Sequence, residues 1–102
     1  IQSMVSGGCL ISGAEVRNSL LFSRSKVDSY SSLEGAVVLP DVHIERNCRL
    51  NRCIIDAGSI IEEGTVIGED HDDDKARGFR VSEKGITLVT PDMLGQQLHY
   101  TR

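Results

Sequence analysis

The sequence predicts a mainly β fold: a single-stranded parallel β-helix of about four coils, followed by a C-terminal hairpin and a short helix. Aliphatic residues recur every 17 positions in three columns, and steps of 6, 6 and 5 residues separate consecutive aliphatic positions. Three short segments for each turn of the chain are typical of hexapeptide solenoids. The columns are Met4/Leu21/Val38/Ile55, Leu10/Val27/Ile44/Ile61 and Val16/Leu33/Leu50/Ile67.

The residues two positions before each aliphatic are mostly small, which supports the same register. Side chains two apart on a strand share a face, so each segment would place one small and one aliphatic side chain inside a narrow prism. Cys48 and Cys53 fall at such inward positions, whereas Cys9 falls in an outward column with Lys26 and His43. The small columns are Ser19/Ala36/Cys53, Gly8/Ser25/Val42/Ser59 and Ala14/Ser31/Cys48/Thr65.

The repeat stops after Gly68, which divides the chain into a β-helix over residues 1–68 and a C-terminal part over residues 69–102. Residues 69–74 are strongly acidic and predict a solvated connector. Alternation on both sides of Gly85 predicts a hairpin over residues 79–89. Thr90 suits an N-cap and Pro91 a first helical position, so we expect a short helix from about Pro91 to about Leu98. These elements would pack on the β-helix and close its lower end.

One side of the predicted prism is apolar on its outer surface. A contiguous apolar strip on an otherwise polar body usually marks an interface. The partner could be another domain, another subunit, or the chain's own C-terminal hairpin. The residues that would form this interface are Leu20, Phe22, Val37, Leu39 and Ile54.

The composition disfavours several classes of function. A net charge of −4 and only two Tyr, two Phe and no Trp argue against a nucleic-acid binder. No apolar run is long enough to cross a membrane and no signal-peptide pattern is present, so we expect no membrane partner. Cysteines in core positions favour a reducing, cytoplasmic location. Because the coil is already in register at Met4, its first edge would be uncovered, and we expect a longer protein with its missing part upstream.

Residues that could carry chemistry are sparse. No two of the three histidines, His43, His71 and His99, are placed to share a metal. No Ser/His/Asp or Cys/His set follows from the spacing. We therefore expect no catalytic residue, metal ligand or cofactor in this chain, which should be inactive by itself.

Six sequence blocks carry a specific resemblance in addition to the apolar columns. In order and spacing, they resemble the C-terminal domain of the bacterial glucose-1-phosphate adenylyltransferase family, also called ADP-glucose pyrophosphorylase. The resemblance covers essentially the whole chain, including outward residues such as Pro40 and Asp56. The blocks are residues 5–13, 19–23, 36–40, 53–56, 66–69 and 85–90.

The resemblance implies a left-handed coil and a parent enzyme that converts ATP and glucose 1-phosphate to ADP-glucose and pyrophosphate with Mg²⁺, for glycogen synthesis. It further implies an N-terminal catalytic domain, assembly with other subunits into a homotetramer, and an anionic allosteric effector. Family members activated by fructose 1,6-bisphosphate carry arginines where this chain has Ala57, Pro91 and Gly95. The effector is therefore left open.

Three arginines are candidates for contacting an anionic effector, namely Arg46, Arg49 and Arg52, with an ordinary solvated surface as the alternative. Two other functions also stay open. A hexapeptide acyltransferase would use His43 as its general base, although the coils carry no loop insertion to build such a site. A non-enzymatic β-helix scaffold is the other.

Overall fold

The computed structural model describes residues 3–96 and confirms a parallel β-helix of about four coils, with its strands on three sides of a prism. The strands are β1 (Met4–Val5), β2 (Leu10–Ile11), β3 (Glu15–Arg17), β4 (Leu20–Leu21), β5 (Lys26–Val27), β6 (Ser32–Glu34), β7 (Val37–Val38), β8 (His43–Ile44), β9 (Arg49–Asn51), β10 (Cys53–Ile55), β11 (Ile60–Ile61) and β12 (Val66–Ile67). Sheet A contains β1, β4, β7 and β10, sheet B contains β2, β5, β8 and β11, and sheet C contains β3, β6, β9 and β12. Left-handed winding stays a prediction of the family resemblance.

The core consists of the predicted inward columns from the second coil onward. The inward aliphatic side chains there are 0–1% exposed, and most of the small inward residues are buried with them. Buried hydroxyl groups link consecutive coils: the Ser19 Oγ accepts a hydrogen bond from the Ala36 N–H at 3.0 Å and donates to the Arg17 carbonyl at 2.8 Å. Within residues 3–96, every buried polar side-chain atom has a hydrogen-bond partner. The interior therefore combines apolar packing with serine hydroxyl groups that are all hydrogen-bonded.

The predicted register is wrong for two sides of the first coil. There, Val5 pairs with Leu21 and Ile11 pairs with Val27, an offset of 16 residues. The third side keeps the 17-residue offset, with Val16 opposite Leu33. The corner between Ile11 and Val16 is therefore one residue shorter than the corresponding corner of the second coil.

This shift exchanges inward and outward residues in the first coil. Val5, Cys9 and Ile11 take the inward positions assigned to Met4, Gly8 and Leu10, because a one-residue slip turns each side chain to the opposite face. Cys9 is correspondingly half-buried against the core and was wrongly assigned outward. Gly8 is instead a turn residue with φ of 80°.

The C-terminal hairpin forms as predicted and extends sheet A. Its strands are β13 (Arg80–Val81) and β14 (Thr87–Val89), which pair antiparallel, and β14 pairs in parallel with β10. Gly85 turns the hairpin with φ of 80°, where a Cβ would lie 3.0 Å from the His71 Cε1 atom. The hairpin therefore covers the lower edge of sheet A.

The lower edges of the other two sheets are covered by side chains. On sheet B, the Gln96 amide accepts from the Ile60 N–H at 2.9 Å and donates to the Ile60 carbonyl at 2.7 Å. On sheet C, the Arg77 guanidinium donates to the Val66 carbonyl. Underneath the last coil, Phe79, Val89, Met93 and Leu94 pack against the core. The predicted closure of the lower end is confirmed for the described residues.

The acidic stretch is exposed over residues 69–73, as a solvated connector would be, but from His71 it forms a helix that the sequence did not predict. Helix α1 (His71–Ala76) begins after Asp70, whose side chain accepts from the Asp72 and Asp73 N–H groups at 3.0 and 3.2 Å. Carboxylates in the first turn interact favourably with the helix dipole. Asp74 is only 1% exposed. The charge run therefore contains a buried structural carboxylate.

The helix predicted from Pro91 to Leu98 is not found over the described part of that range. Residues 91–96 form consecutive turns, in which the Leu94 and Gln96 N–H groups both donate to the Pro91 carbonyl. Gly95 has φ of 73°, which interrupts a helical path. Leu98 lies outside the described residues.

Replacing Asp74 with Asn should destabilise the C-terminal closure. The Asp74 carboxylate accepts from the Gly68 N–H at 3.0 Å, the Thr87 hydroxyl at 2.8 Å and Arg77 at 3.0 Å. An amide would turn an N–H₂ group toward at least one of these donors. We expect a loss of about 1–3 kcal/mol in the free energy of unfolding, measured by urea denaturation.

The matched control is Asp72→Asn, which changes an exposed carboxylate on the same helix. It should alter the free energy of unfolding by less than about 0.5 kcal/mol. Equal effects of the two substitutions would show that Asp74 does not hold the closure together.

Candidate interaction surfaces

The outer surface of sheet A carries the predicted apolar strip, which comprises Leu20, Phe22, Val37, Leu39 and Ile54. Strand pairing aligns Leu20 with Val37 and Val37 with Ile54, so these side chains stack along the coil axis. Leu20 and Phe22 are each 40% exposed, and the other three are half-buried. The outward direction predicted for all five is confirmed, whereas their role as an interface stays a prediction.

The C-terminal hairpin does not fold over this strip. β14 lies beside β10 in the same sheet, and Leu88 pairs with Ile54 as the next residue of the outward column. The hairpin therefore lengthens the apolar strip instead of covering it. Of the three partners considered for this surface, another domain and another subunit remain.

The first coil adds an apolar surface that the sequence pattern missed. Met4 is 71% exposed, Leu10 62%, Val5 48% and Ile11 38%. We call these four residues the N-terminal apolar end. Met4 pairs with Leu20, so this surface is continuous with the apolar strip. The 17-residue period did not reveal the register of the first coil. Finding this surface from the sequence would have required that register.

The three candidate anion-binding arginines lie before, on and after β9, and each has its own partner. The Arg49 guanidinium donates to both carboxylate oxygens of Glu69, at 2.9 and 3.0 Å. This hydrogen bond holds the pKa of Glu69 below its usual value. Arg52 donates to the Lys84 carbonyl at 2.9 Å, and the Arg46 guanidinium lies 5.5 Å from the centre of the Tyr30 ring. The described contacts do not join these arginines into one cluster, and anion binding stays a prediction.

His43 lies on the outer surface of sheet B, in a side-chain contact with Asp28 that links two coils. Its Nε2 atom is 2.9 Å from the Asp28 Oδ2 atom, and the Lys26 Nζ atom is 4.0 Å from Asp28 Oδ1. The His43 side chain is 36% exposed. The contact with Asp28 orients the imidazole, but a structural contact between coils is enough to account for a histidine at this position.

The two buried cysteines, Cys48 and Cys53, have thiols that stay protonated. Burial raises the pKa of the Cys53 thiol to about 12, and burial also raises the pKa of Cys48. Because the thiolate is the nucleophile, neither is suited to react near neutral pH. All three cysteines are free thiols.

Two further properties concern the described residues as a whole. Over residues 3–96, no three His, Cys, Asp or Glu side chains are grouped so that they could hold a metal ion. The only described helix, α1, has 6 residues, and none in that range is long and apolar enough to cross a membrane.

Comparison with known protein families identifies the coil. Residues 1–89 match the family described as GlmU-like, C-terminal hexapeptide. That range includes every strand of the β-helix and the hairpin. The family description agrees with the period of the inward columns.

Among curated proteins, similar relatives are named glucose-1-phosphate adenylyltransferase. The chain is 62% identical over 95 residues to glucose-1-phosphate adenylyltransferase 2 of Pseudoalteromonas atlantica, covering 93% of this chain and 23% of the relative. It is 61% identical over 100 residues to the enzyme of Shewanella oneidensis, covering 98% and 24%. For Alteromonas mediterranea the identity is 62% over 96 residues, covering 94% and 22%. The chain thus spans about a quarter of the length of these relatives, at their C-terminal end.

Val37→Asp should change association without unfolding the coil, because the Val37 side chain points outward. The neighbouring Val38 is 0% exposed, so Val38→Asp would bury a charge and should collapse the coil. Circular dichroism would measure the coil, and analytical ultracentrifugation would measure the association state. Loss of the β signal in Val37→Asp, with Val38→Asp tolerated, would reverse the assignment of inward and outward faces.

Proposed function

The chain belongs to the GlmU-like C-terminal hexapeptide family, and we propose that it is the C-terminal assembly and regulatory domain of a glucose-1-phosphate adenylyltransferase. The identity of 60–62% to proteins of that name, over at least 91% of this chain, is the observation that carries the proposal. The full-length enzyme would convert ATP and glucose 1-phosphate to ADP-glucose and pyrophosphate for glycogen synthesis. It would work in the cytoplasm.

In this proposal the coil serves in assembly, and catalysis takes place in another domain. The coil presents apolar surfaces for packing, and several of its charged side chains are paired with one another, as in Arg49 with Glu69 and Arg24 with Asp41. Phosphoryl transfer needs positioned cations around the transferred group. The Mg²⁺ implied for the parent enzyme has no fitting ligand group in residues 3–96. Catalysis would therefore belong to an N-terminal domain, and this chain alone would be inactive.

The apolar strip supports the assembly role. Leu20 and Phe22 are each 40% exposed on one sheet, next to the exposed Met4. Exposed apolar surface of this kind gains stability when it is removed from water by a partner. The partners would be the N-terminal catalytic domain and the other subunits of a homotetramer.

The regulatory role would involve an anionic effector whose contacts differ from those of fructose 1,6-bisphosphate-activated relatives. Gly95 has φ of 73°, in the left-handed region that residues other than glycine occupy less readily, although Arg24 and Arg52 of this chain have φ of 61° and 45°. Pro91 is buried in the turn that closes the lower end. An arginine at the buried Pro91 position would thus require the closure to change, and Arg46, Arg49 and Arg52 remain the candidates for the effector.

The full-length protein should form ADP-glucose from ATP, glucose 1-phosphate and Mg²⁺, because the proposed catalytic domain precedes this chain. The 102-residue chain should form none under the same conditions. Both are measured by release of pyrophosphate and by chromatography of the nucleotide sugar. A full-length protein without adenylyltransferase activity would contradict the proposal, and so would activity of the chain alone.

The assembly role has its own readout. Leu20→Asp in the full-length protein should reduce the fraction of tetramer measured by ultracentrifugation or disrupt packing of the catalytic domain.

His43→Ala distinguishes the proposed function from the acyltransferase alternative. An acyltransferase would need His43 as its general base, whereas the rate of adenylyl transfer should not change. Loss of an acyl-transfer activity in His43→Ala would favour the alternative.

A further inference from the structure

A carboxylate from the C-terminal part is held by three donors on the outer surface of sheet C. The Arg49 guanidinium donates to both oxygens of Glu69, at 2.9 and 3.0 Å, and the Asn51 Nδ2 atom donates to Glu69 Oε2 at 3.3 Å. Arg49 and Asn51 lie two positions apart on β9, so they share its outward face. We call these two residues the β9 cradle. Its donors already have an arrangement that holds an oxyanion.

The cradle is fixed in the coil, whereas its occupant is free to leave. β9 lies between β6 and β12 in sheet C, and Leu50, between the two cradle residues, is fully buried. The Arg49 and Glu69 side chains are 58% and 38% exposed. Exposed ion pairs contribute little to stability. Rotation of the Glu69 side chain would therefore open the cradle without disturbing the core.

The backbone around Gly68 places Glu69 beside the cradle. Gly68 has φ of 87°, and a Cβ at this position would overlap the Asn51 carbonyl oxygen, so glycine lets the chain pass directly over Asn51. The Gly68 N–H group donates to the buried Asp74 carboxylate at 3.0 Å. These contacts fix the backbone next to Glu69. Its carboxylate is thus present at a high effective concentration at the cradle.

This tether decides which class of anion can replace Glu69. A free monocarboxylate offers the same group as Glu69 without the advantage of being tethered, so it should not displace it. A phosphate monoester carries a charge of about −1.5 to −2 near pH 7 and has three acceptor oxygens. The guanidinium fork of arginine matches phosphate as well as carboxylate. The greater charge therefore favours a phosphate group over Glu69.

We propose that the β9 cradle is a binding site for a phosphate-bearing anion and that Glu69 is an internal competitor which this anion displaces. The inference deepens the proposed regulatory role and rests on it. Among the three candidate arginines, it selects Arg49 and adds Asn51 as a second donor. Because only the open cradle is competent, the observed affinity is the intrinsic affinity reduced by the fraction that is open. Removing the Glu69 charge should therefore strengthen anion binding.

Protection of Arg49 from phenylglyoxal, which modifies accessible arginine side chains, tests the proposal in the full-length protein. Peptide mapping by mass spectrometry follows Arg49 separately from other arginines. The concentration of inorganic phosphate that gives half-protection should fall about two- to fivefold in Glu69→Gln, the effect of removing an exposed ion pair. Acetate at equal ionic strength should not protect the wild type. Equal half-protecting concentrations of phosphate in the two proteins, or no protection in either, would overturn the proposal.

Glu34→Gln is the matched control, because it removes the same charge from the neighbouring strand. Glu34 pairs with Asn51 in sheet C, and its carboxylate accepts from Asn18 at 2.9 Å. This substitution leaves Glu69 on Arg49, so the half-protecting phosphate concentration should change less than in Glu69→Gln. An equal decrease would show that overall charge governs binding and would overturn the proposal.

Arg17 provides an internal reference for specificity. It lies on the same sheet, is paired with Glu15 at 3.0 Å, and its side chain is 55% exposed, close to the value for Arg49. Phosphate should protect Arg49 at concentrations that leave Arg17 reactive. Equal protection of both arginines would mean non-specific anion binding and would contradict a site at the cradle.

The proposed function fails or succeeds on a different measurement. The predicted shift in Glu69→Gln, found in a full-length protein that forms no ADP-glucose, would support the cradle while contradicting the enzymatic function. A protein that forms ADP-glucose but shows no shift would do the reverse.

Discussion

The backbone hydrogen bonds between consecutive coils are the interaction on which the rest of this structure depends. They recur on all three sides, as in Leu20 N–H to Ala36 C=O at 2.9 Å, Lys26 N–H to Val42 C=O at 2.8 Å and Ser32 N–H to Cys48 C=O at 2.8 Å. Strands of two or three residues have no stability of their own and exist because neighbouring coils hold them. The same bonds stack equivalent residues, which produces a continuous core and a continuous outer strip.

The repeat could be predicted from the second coil onward because its inward columns contain one aliphatic and one small residue at constant spacing. The first coil could not be predicted in this way. Met4-Val5 and Leu10-Ile11 are aliphatic doublets, so either member of each pair can face inward and keep the pattern. Only the shorter corner at Gly13 decides which one does. The sequence therefore predicted the outward strip correctly but misplaced the residues that make the first coil apolar.

The C-terminal part was less predictable because its structure depends on distant contacts. Asp74 stands in a run of acidic residues and is buried because Gly68, Arg77 and Thr87 surround it with donors. Gln96 follows a sequence typical of a helix start but serves the edge of β11. The arginine candidates show the same limitation, since the partner of Arg49 is 20 residues away in the sequence. The repeat is visible as a regular spacing in the sequence, whereas the C-terminal closure depends on contacts between residues that are far apart in the sequence and follow no fixed spacing.

The described residues present apolar surfaces, and the proposed role in assembly rests on them. The coil covers its lower edges with its own residues and exposes apolar side chains on its first coil and on sheet A, where a partner could pack. That assignment depends on the inward columns being correct. Thiol labelling of the folded 102-residue chain tests them most directly, because Cys48 and Cys53 are 0% and 1% exposed whereas Cys9 is half-buried in the first coil. We expect Cys9 to react first and Cys48 and Cys53 to react only on unfolding; labelling of all three at similar rates in the folded chain would contradict the assignment of the inward columns.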